Sequence, residues 1–247
     1  MSNVDQNNPY ATFGMDVPVA QAPANVRAKF IMKTYFTLLF SVIAFALIET
    51  ALIGLTSAEF KGRVLATMFG SQYSWLIVLV LFMVVSSIAS RIAMKPGATG
   101  LQYAGLALFI VAESIIILPL LIMAFYQQQV QQSHIIASAA GTTLGLFGAL
   151  TLVVFFTRYD FSFLRSIVAF GVLAAMGFVV VAVFTGFTLG PIFIYAMIAL
   201  MCCSILYQTS DVLHHYHESQ HVAAALGLFA SLATLFWYIL MLFMSRE

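Results

Sequence analysis

Charge is what this chain has least of. Asp, Glu, Lys and Arg make up 8% of its 247 residues, against about a quarter in an ordinary soluble domain, while 62% are hydrophobic. With a mean hydropathy of +1.02, this is the composition of an integral membrane protein. Acidic and basic side chains nearly balance at a net charge of +1. The basic footprint of a nucleic-acid binder is missing, and no nucleic-acid partner is expected. Cysteine is confined to Cys202 and Cys203, which as helix neighbours point in different directions, so a structural disulfide is disfavoured. Histidine occurs only at His134 and in a cluster over 214–221. A membrane iron-oxo enzyme would need several separated histidine boxes, and a zinc hydrolase would need ligands from several spans at one depth. No Ser-His-Asp or Cys-His arrangement stands out. Neither enzyme activity nor a resident cofactor is expected.

What the chain does have is long apolar runs. Seven are long enough, at about 17 residues or more, to cross a bilayer, near 34–56, 74–94, 100–125, 135–157, 164–186, 189–209 and 221–244. They predict an all-α protein of seven transmembrane helices, with the lipid bilayer as its first partner. The fifth and sixth runs are separated by Gly186-Phe-Thr-Leu-Gly190-Pro191, a tight turn signal. Residues 1–26 are polar, aperiodic and Pro-containing and read as a disordered tail, in which Asn8-Pro9-Tyr10 is a candidate linear motif. Residues 27–247 read as one membrane domain. With the N-terminus inside, Arg27, Lys29, Lys33, Arg91, Lys95, Arg158 and Arg165 fall on inner segments, against Lys61, Arg63 and Arg246 outside. This asymmetry favours a cytoplasmic N-terminus.

Ionisable groups within a span cost at least about 2.5–3.5 kcal/mol at the bilayer centre, so each needs a reason. Glu113 lies deep in the third run, either as a hydrogen-bonded glutamate locking helices together or as an ion ligand on a permeation path. Glu49, in the outer half of the first run, reads as an interfacial or helix-pairing residue. Pro119 removes a backbone donor from the third run. Arg91 and Asp211, ending the second and sixth runs on the inner side, could form a latch or snorkel independently. If helix continues through the histidine cluster, His214, His217 and His221 share one face, a spacing that suits a pH sensor or a transition metal. The alternative is a solvated interfacial loop.

Several stretches resemble the transmembrane Bax inhibitor motif (lifeguard-like) family. They are Val26-Arg27 through Lys33-Thr34-Tyr35, Glu113-Ser-Ile-Ile-Ile-Leu-Pro119, and Gly141-Thr142 through Asp160-Phe161-Ser162. Ile205-Leu206-Tyr207-Gln208-Thr209 and Ala224-Ala225-Leu226 through Leu235-Phe236 complete the order. Leu118 stands where the family usually has glycine. The resemblance covers roughly 27–244 and implies a bundle whose last helix is ringed by the other six. It also implies a pH-sensitive calcium leak gated by two proton-sharing aspartates, one ending span six and one within span seven. Here those positions read Gln208 and Ser231, neither of which titrates near neutral pH, so the di-aspartyl gate is altered or lost. Asp211, three residues after Gln208, is a candidate partial replacement.

The expected function is therefore a weak calcium or cation leak, with Glu113, Gln208, Ser231 and Thr234 along the ion path and calcium as the permeant ion. The alternative is a non-conducting regulator that binds another membrane protein, such as a protease or a death-pathway partner. The expected location is the inner membrane of a bacterial cell.

Overall fold

Among the described residues of the computed structural model, 18–71, 73–95 and 98–246, seven helices have the length and composition to cross a membrane. They correspond to the seven apolar runs. In chain order the helices are α1 (Ala24–Leu55), α2 (Ala58–Phe69), α3 (Ser74–Ala93), α4 (Thr99–Gln131), α5 (Ile135–Thr157), α6 (Leu164–Thr185), α7 (Pro191–His214) and α8 (His221–Arg246). Local chemistry sets several of the ends. Gly186 ends α6 with φ of 70°, a left-handed conformation that glycine adopts without penalty. Pro191 opens α7 at its first turn, where its missing N–H would be unpaired in any case. Pro119 is accommodated inside an uninterrupted α4.

The extra helix, α2, has no counterpart among the apolar runs. At 12 residues it is too short to cross a bilayer. Its Ser57 cap accepts the Phe60 N–H at 3.2 Å, and Glu59 and Arg63 pair at 3.3 Å on its exposed side. Lys61 faces inward, buried, with its ammonium 5.1 Å from the centre of the Phe125 ring.

Cross-contacts define the two ends of the bundle. At the end where α1 begins, here the proximal end, the Gln102 amide donates to the carbonyls of Lys95 and Ser219, both at 3.0 Å. At the distal end Gln127 donates to the Met244 carbonyl at 3.0 Å, and Trp75 stacks on Trp237 at 5.6 Å. The segment read as a disordered tail differs from that reading over its last part. Val19 is fully buried, its N–H donates to the Tyr216 carbonyl at 2.8 Å, and α1 is already helical from Ala24. Apolar Val19 and Ala22 find a cleft against the α7–α8 turn, which residues of lower hydrophobicity could not have filled. Residues 1–17, with Asn8-Pro9-Tyr10, lie outside the described residues.

Helix α8 packs on α1, α3, α4, α5 and α7, while α6 packs principally on α7. The last helix is thus central, but its ring is five helices with α6 outboard. It also shares the centre, because α4 has 67% of its apolar stretch buried against 50% for the last span. Small residues make this possible. Ala223, Ala224, Ala225 and Ala233 are buried along α8. Between α3 and α4, a Cβ on Gly105 would stand 2.6 Å from the Ala89 carbonyl oxygen, so the two backbones approach as closely as side-chain-free packing allows.

Candidate functional site

Three polar groups converge between α7 and α8 in the bundle interior. Ser204 and Gln208 lie one turn apart on α7 and face Ser231 on α8. The Gln208 amide donates to Ser204 Oγ at 3.1 Å and to Ser231 Oγ at 2.8 Å, and the two serine hydroxyls are 2.8 Å apart. The result is a closed ring of neutral donors and acceptors, with both serines buried. Gly227 makes room for it, since the Gln208 side-chain oxygen lies 3.3 Å from where a Cβ would stand. That oxygen is buried without a hydrogen-bond partner. Gln208 and Ser231, expected on one path from sequence, are in direct contact. Ser204 was missed, because a lone serine is unremarkable in an apolar span. Beside the ring, the hydroxyls of Tyr35, Thr151 and Thr209 approach one another without reaching hydrogen-bond geometry.

One turn further along α8, about 4.5 Å distal to Ser231, is Thr234, whose hydroxyl donates back to the Ala230 carbonyl at 2.8 Å. Thr234 and Glu113 border the same cavity, of about 400 Å³, together with Trp75, Trp237 and Tyr238. Glu113 is 5% exposed. Of the four residues expected along one ion path from sequence, Glu113 and Thr234 line this cavity, whereas Gln208 and Ser231 do not. On the opposite side of α8 is a second cavity, of about 490 Å³, bordered by Glu49. Glu49 is also 5% exposed, and neither of its oxygens has a hydrogen-bond partner. It makes no hydrogen bond to another helix among the described residues, unlike the helix-pairing reading of the sequence. The two carboxyls are within electrostatic reach of each other across the bundle.

At the proximal end the arrangement departs from the expected latch. Arg91 is exposed, and among the described residues it forms no ion pair with Asp211. Asp211 instead meets His215, with Nδ1 3.0 Å from Oδ1. The other nitrogen of the same ring, Nε2, is 3.7 Å from Asp160 Oδ2. His215 thus bridges the end of α7 to the α5–α6 loop. Ser210 extends the bridge: it accepts the Phe161 N–H at 2.9 Å and donates to Asp160 Oδ1 at 3.3 Å. Desolvation works against ionising Asp160, but the Ser162 N–H at 2.9 Å and the neighbouring His215 and His214 hold its carboxyl below the usual carboxylate range. Asp211, the candidate partial replacement for Gln208 from sequence, takes no part in the ring: its ion-pair partner is His215.

The shared histidine face does not form. Helix α7 ends at His214, a short 3₁₀ turn covers Glu218–Gln220, and α8 starts at His221. His214 Nδ1 is 3.0 Å from the Ser210 carbonyl oxygen, and His221 Nε2 is 3.4 Å from the Tyr103 hydroxyl. His217 belongs to a cap, its N–H donating to the Gln220 side chain at 3.2 Å. Among the described residues no three His, Cys, Asp or Glu side chains converge as metal ligands, so the metal reading of His214, His217 and His221 is set aside. The i, i+4 spacing of Asp211 and His215 was the available signal for the bridge.

The family model described as "Inhibitor of apoptosis-promoting Bax1" matches residues 27–247, nearly the whole chain. No curated protein matches it significantly.

Proposed function

Because the chain belongs to the Bax inhibitor family, we propose that it provides a weak leak for cations, calcium foremost, in which a neutral ring replaces the family's proton-sharing aspartates. The observation that carries this reading is the placement of Glu113. A carboxyl buried in a span, bordering a cavity with Thr234 one turn from the Gln208–Ser204–Ser231 ring, supplies an ionisable group that a cation entering this cavity would meet. A cation entering from the distal cavity would pass Glu113 and Thr234, then require the ring to open, and leave past Asp211 and Asp160. In this reading the proximal end faces the cytoplasm of a bacterial cell, as the Lys and Arg distribution favours.

A second reading, a non-conducting regulator that engages another membrane protein, draws support from the same ring. It closes the α7–α8 contact with three mutually hydrogen-bonded groups, none of which can be switched by a proton. Purified protein in liposomes loaded with a calcium-sensitive dye separates the two. A leak above that of empty liposomes, sharply reduced by Glu113→Gln in a protein that still folds, is the expected result. Flux unchanged by Glu113→Gln at equal reconstitution removes Glu113 from the path, and no flux at all leaves the regulator.

A further inference from the structure

We propose that Glu49 anchors a binding site for a lipophilic monocation, an ammonium or phosphonium bearing apolar or aromatic groups, which enters sideways from the bilayer. The site is the cavity of about 490 Å³ between α1, α4, α5 and α8. Its polar side chains are three: Glu49, Thr50 and Thr143. Both hydroxyls are committed to their own helices, Thr50 to the Ala46 carbonyl and Thr143 to the Ala139 carbonyl, each at 2.7 Å. The Glu49 carboxyl is therefore the one ionisable group in the lining, and the two hydroxyls have only their oxygen lone pairs to offer. It is 5% exposed, and both of its oxygens lack a partner. Lys61, seated over Phe125, forms no ion pair with it among the described residues.

That chemistry selects the ligand. Ionising a carboxyl buried without a partner is costly, and a complementary cation in the cavity offsets that cost and stabilises the ionised form. A hard divalent ion does not fit, because calcium requires about six to eight oxygens and the side chains of this lining offer four, two from the carboxyl and one from each threonine. The remaining walls are apolar, with Phe45, Phe125, Phe229 and Phe236 among them. Aromatic faces attract organic cations and also cover their apolar substituents. The ligand must accordingly carry one positive charge and an otherwise apolar body. The way in is lateral. Ala46, Thr50 and Gly54 of α1 and Leu144 of α5 form an exposed rim within apolar spans, and nothing lies within 4 Å of where a Gly54 Cβ would stand. A ligand already dissolved in lipid reaches Glu49 without crossing water.

The inference does not depend on conduction and is tested by binding alone. The full chain in nanodiscs is titrated with radiolabelled tetraphenylphosphonium, whose charge does not change with pH. Triphenylphosphine oxide serves as the neutral comparator and empty nanodiscs as the background. Saturable binding at one site per chain is expected, with the neutral comparator much weaker. Glu49→Gln keeps the side-chain shape, removes the charge, and should weaken binding by about tenfold or more, equivalent to about 1.4 kcal/mol. Ala46→Phe, at the exposed rim, should obstruct entry without touching the carboxylate, and it carries the test if Glu49→Gln does not fold. Equal binding of the neutral comparator, unchanged affinity in Glu49→Gln, or unchanged affinity in Ala46→Phe should the former not fold, overturns the proposal. So does the absence of saturable binding above background.

Discussion

Both N–H bonds of the Gln208 amide are used inside the bundle, one on Ser204 and one on Ser231. A neutral contact of this kind is worth about 0.5–1.5 kcal/mol net and does not respond to protons near neutral pH. Two carboxylates in the same places could not both ionise freely, and one would titrate near neutrality. Gln208→Asp combined with Ser231→Asp should therefore introduce a steep pH dependence of calcium flux between about pH 6 and 8, where the unaltered chain is shallow. Flux of the double variant that follows the unaltered protein across that range would show that the ring does not gate. Gln208 and Ser231 were legible from sequence only through the resemblance to the Bax inhibitor family, at whose aspartate positions they stand. Their partner Ser204 was not, since the ring closes across 27 positions of chain that no local pattern connects. Glu49 was misjudged for a related reason. Depth along a helix can be counted from sequence, but which side of the helix meets a neighbour depends on packing.

At the scale of elements, the spans were legible and their ends less so. Hydropathy marks the hydrocarbon segment, whereas α1 extends back to Ala24 and α4 on to Gln131 through largely exposed turns. Helix α2 was invisible to a search for spanning runs, because an interfacial helix has only one apolar face. Of the two readings of the histidine cluster, continuous helix or loop, the helix does not continue: α7 stops at His214 and the chain must reverse to begin α8. The closest helix pair offers a direct test. Gly105 has no room for a side chain against Ala89 and Ala93 of α3, so Gly105→Leu should destabilise the bundle by about 1–3 kcal/mol through overpacking. Gly145 of α5 has nothing within 4 Å of a Cβ position, and Gly145→Ala should be neutral or slightly stabilising, since glycine costs about 0.5–1 kcal/mol within a helix. Thermal unfolding in detergent compares the two. Equal midpoints for both variants would mean that the α3–α4 approach is not as tight as its geometry requires.

Across the whole molecule, ionisable groups are sorted by position along the bundle: Glu49 and Glu113 beside the two cavities, a neutral ring between α7 and α8, and the His215 bridge at the proximal end. The bridge faces Asp160 and His214, Asp211 and Tyr207 on α7, Tyr216 in the turn, and Arg165 on α6. A neutral imidazole carries one N–H and can donate to only one of the two carboxylates, whereas the protonated ring donates to both. Falling pH on the proximal side should therefore tie the end of α7 to the α5–α6 loop, disfavour separation of α7 from α8, and reduce flux. Asp160 stays ionised through this range because its carboxyl is held low. The effect should be small, since the His215 side chain is 48% exposed and the pair is screened by solvent and salt. In liposomes of fixed orientation, lowering the pH from about 8 to 6 on the proximal side alone should lower calcium flux by a modest factor. His215→Gln should abolish that response while leaving flux at the higher pH nearly unchanged. A response that survives His215→Gln, or one that follows the distal pH equally well, would move the residual proton sensitivity away from the bridge and towards Glu113.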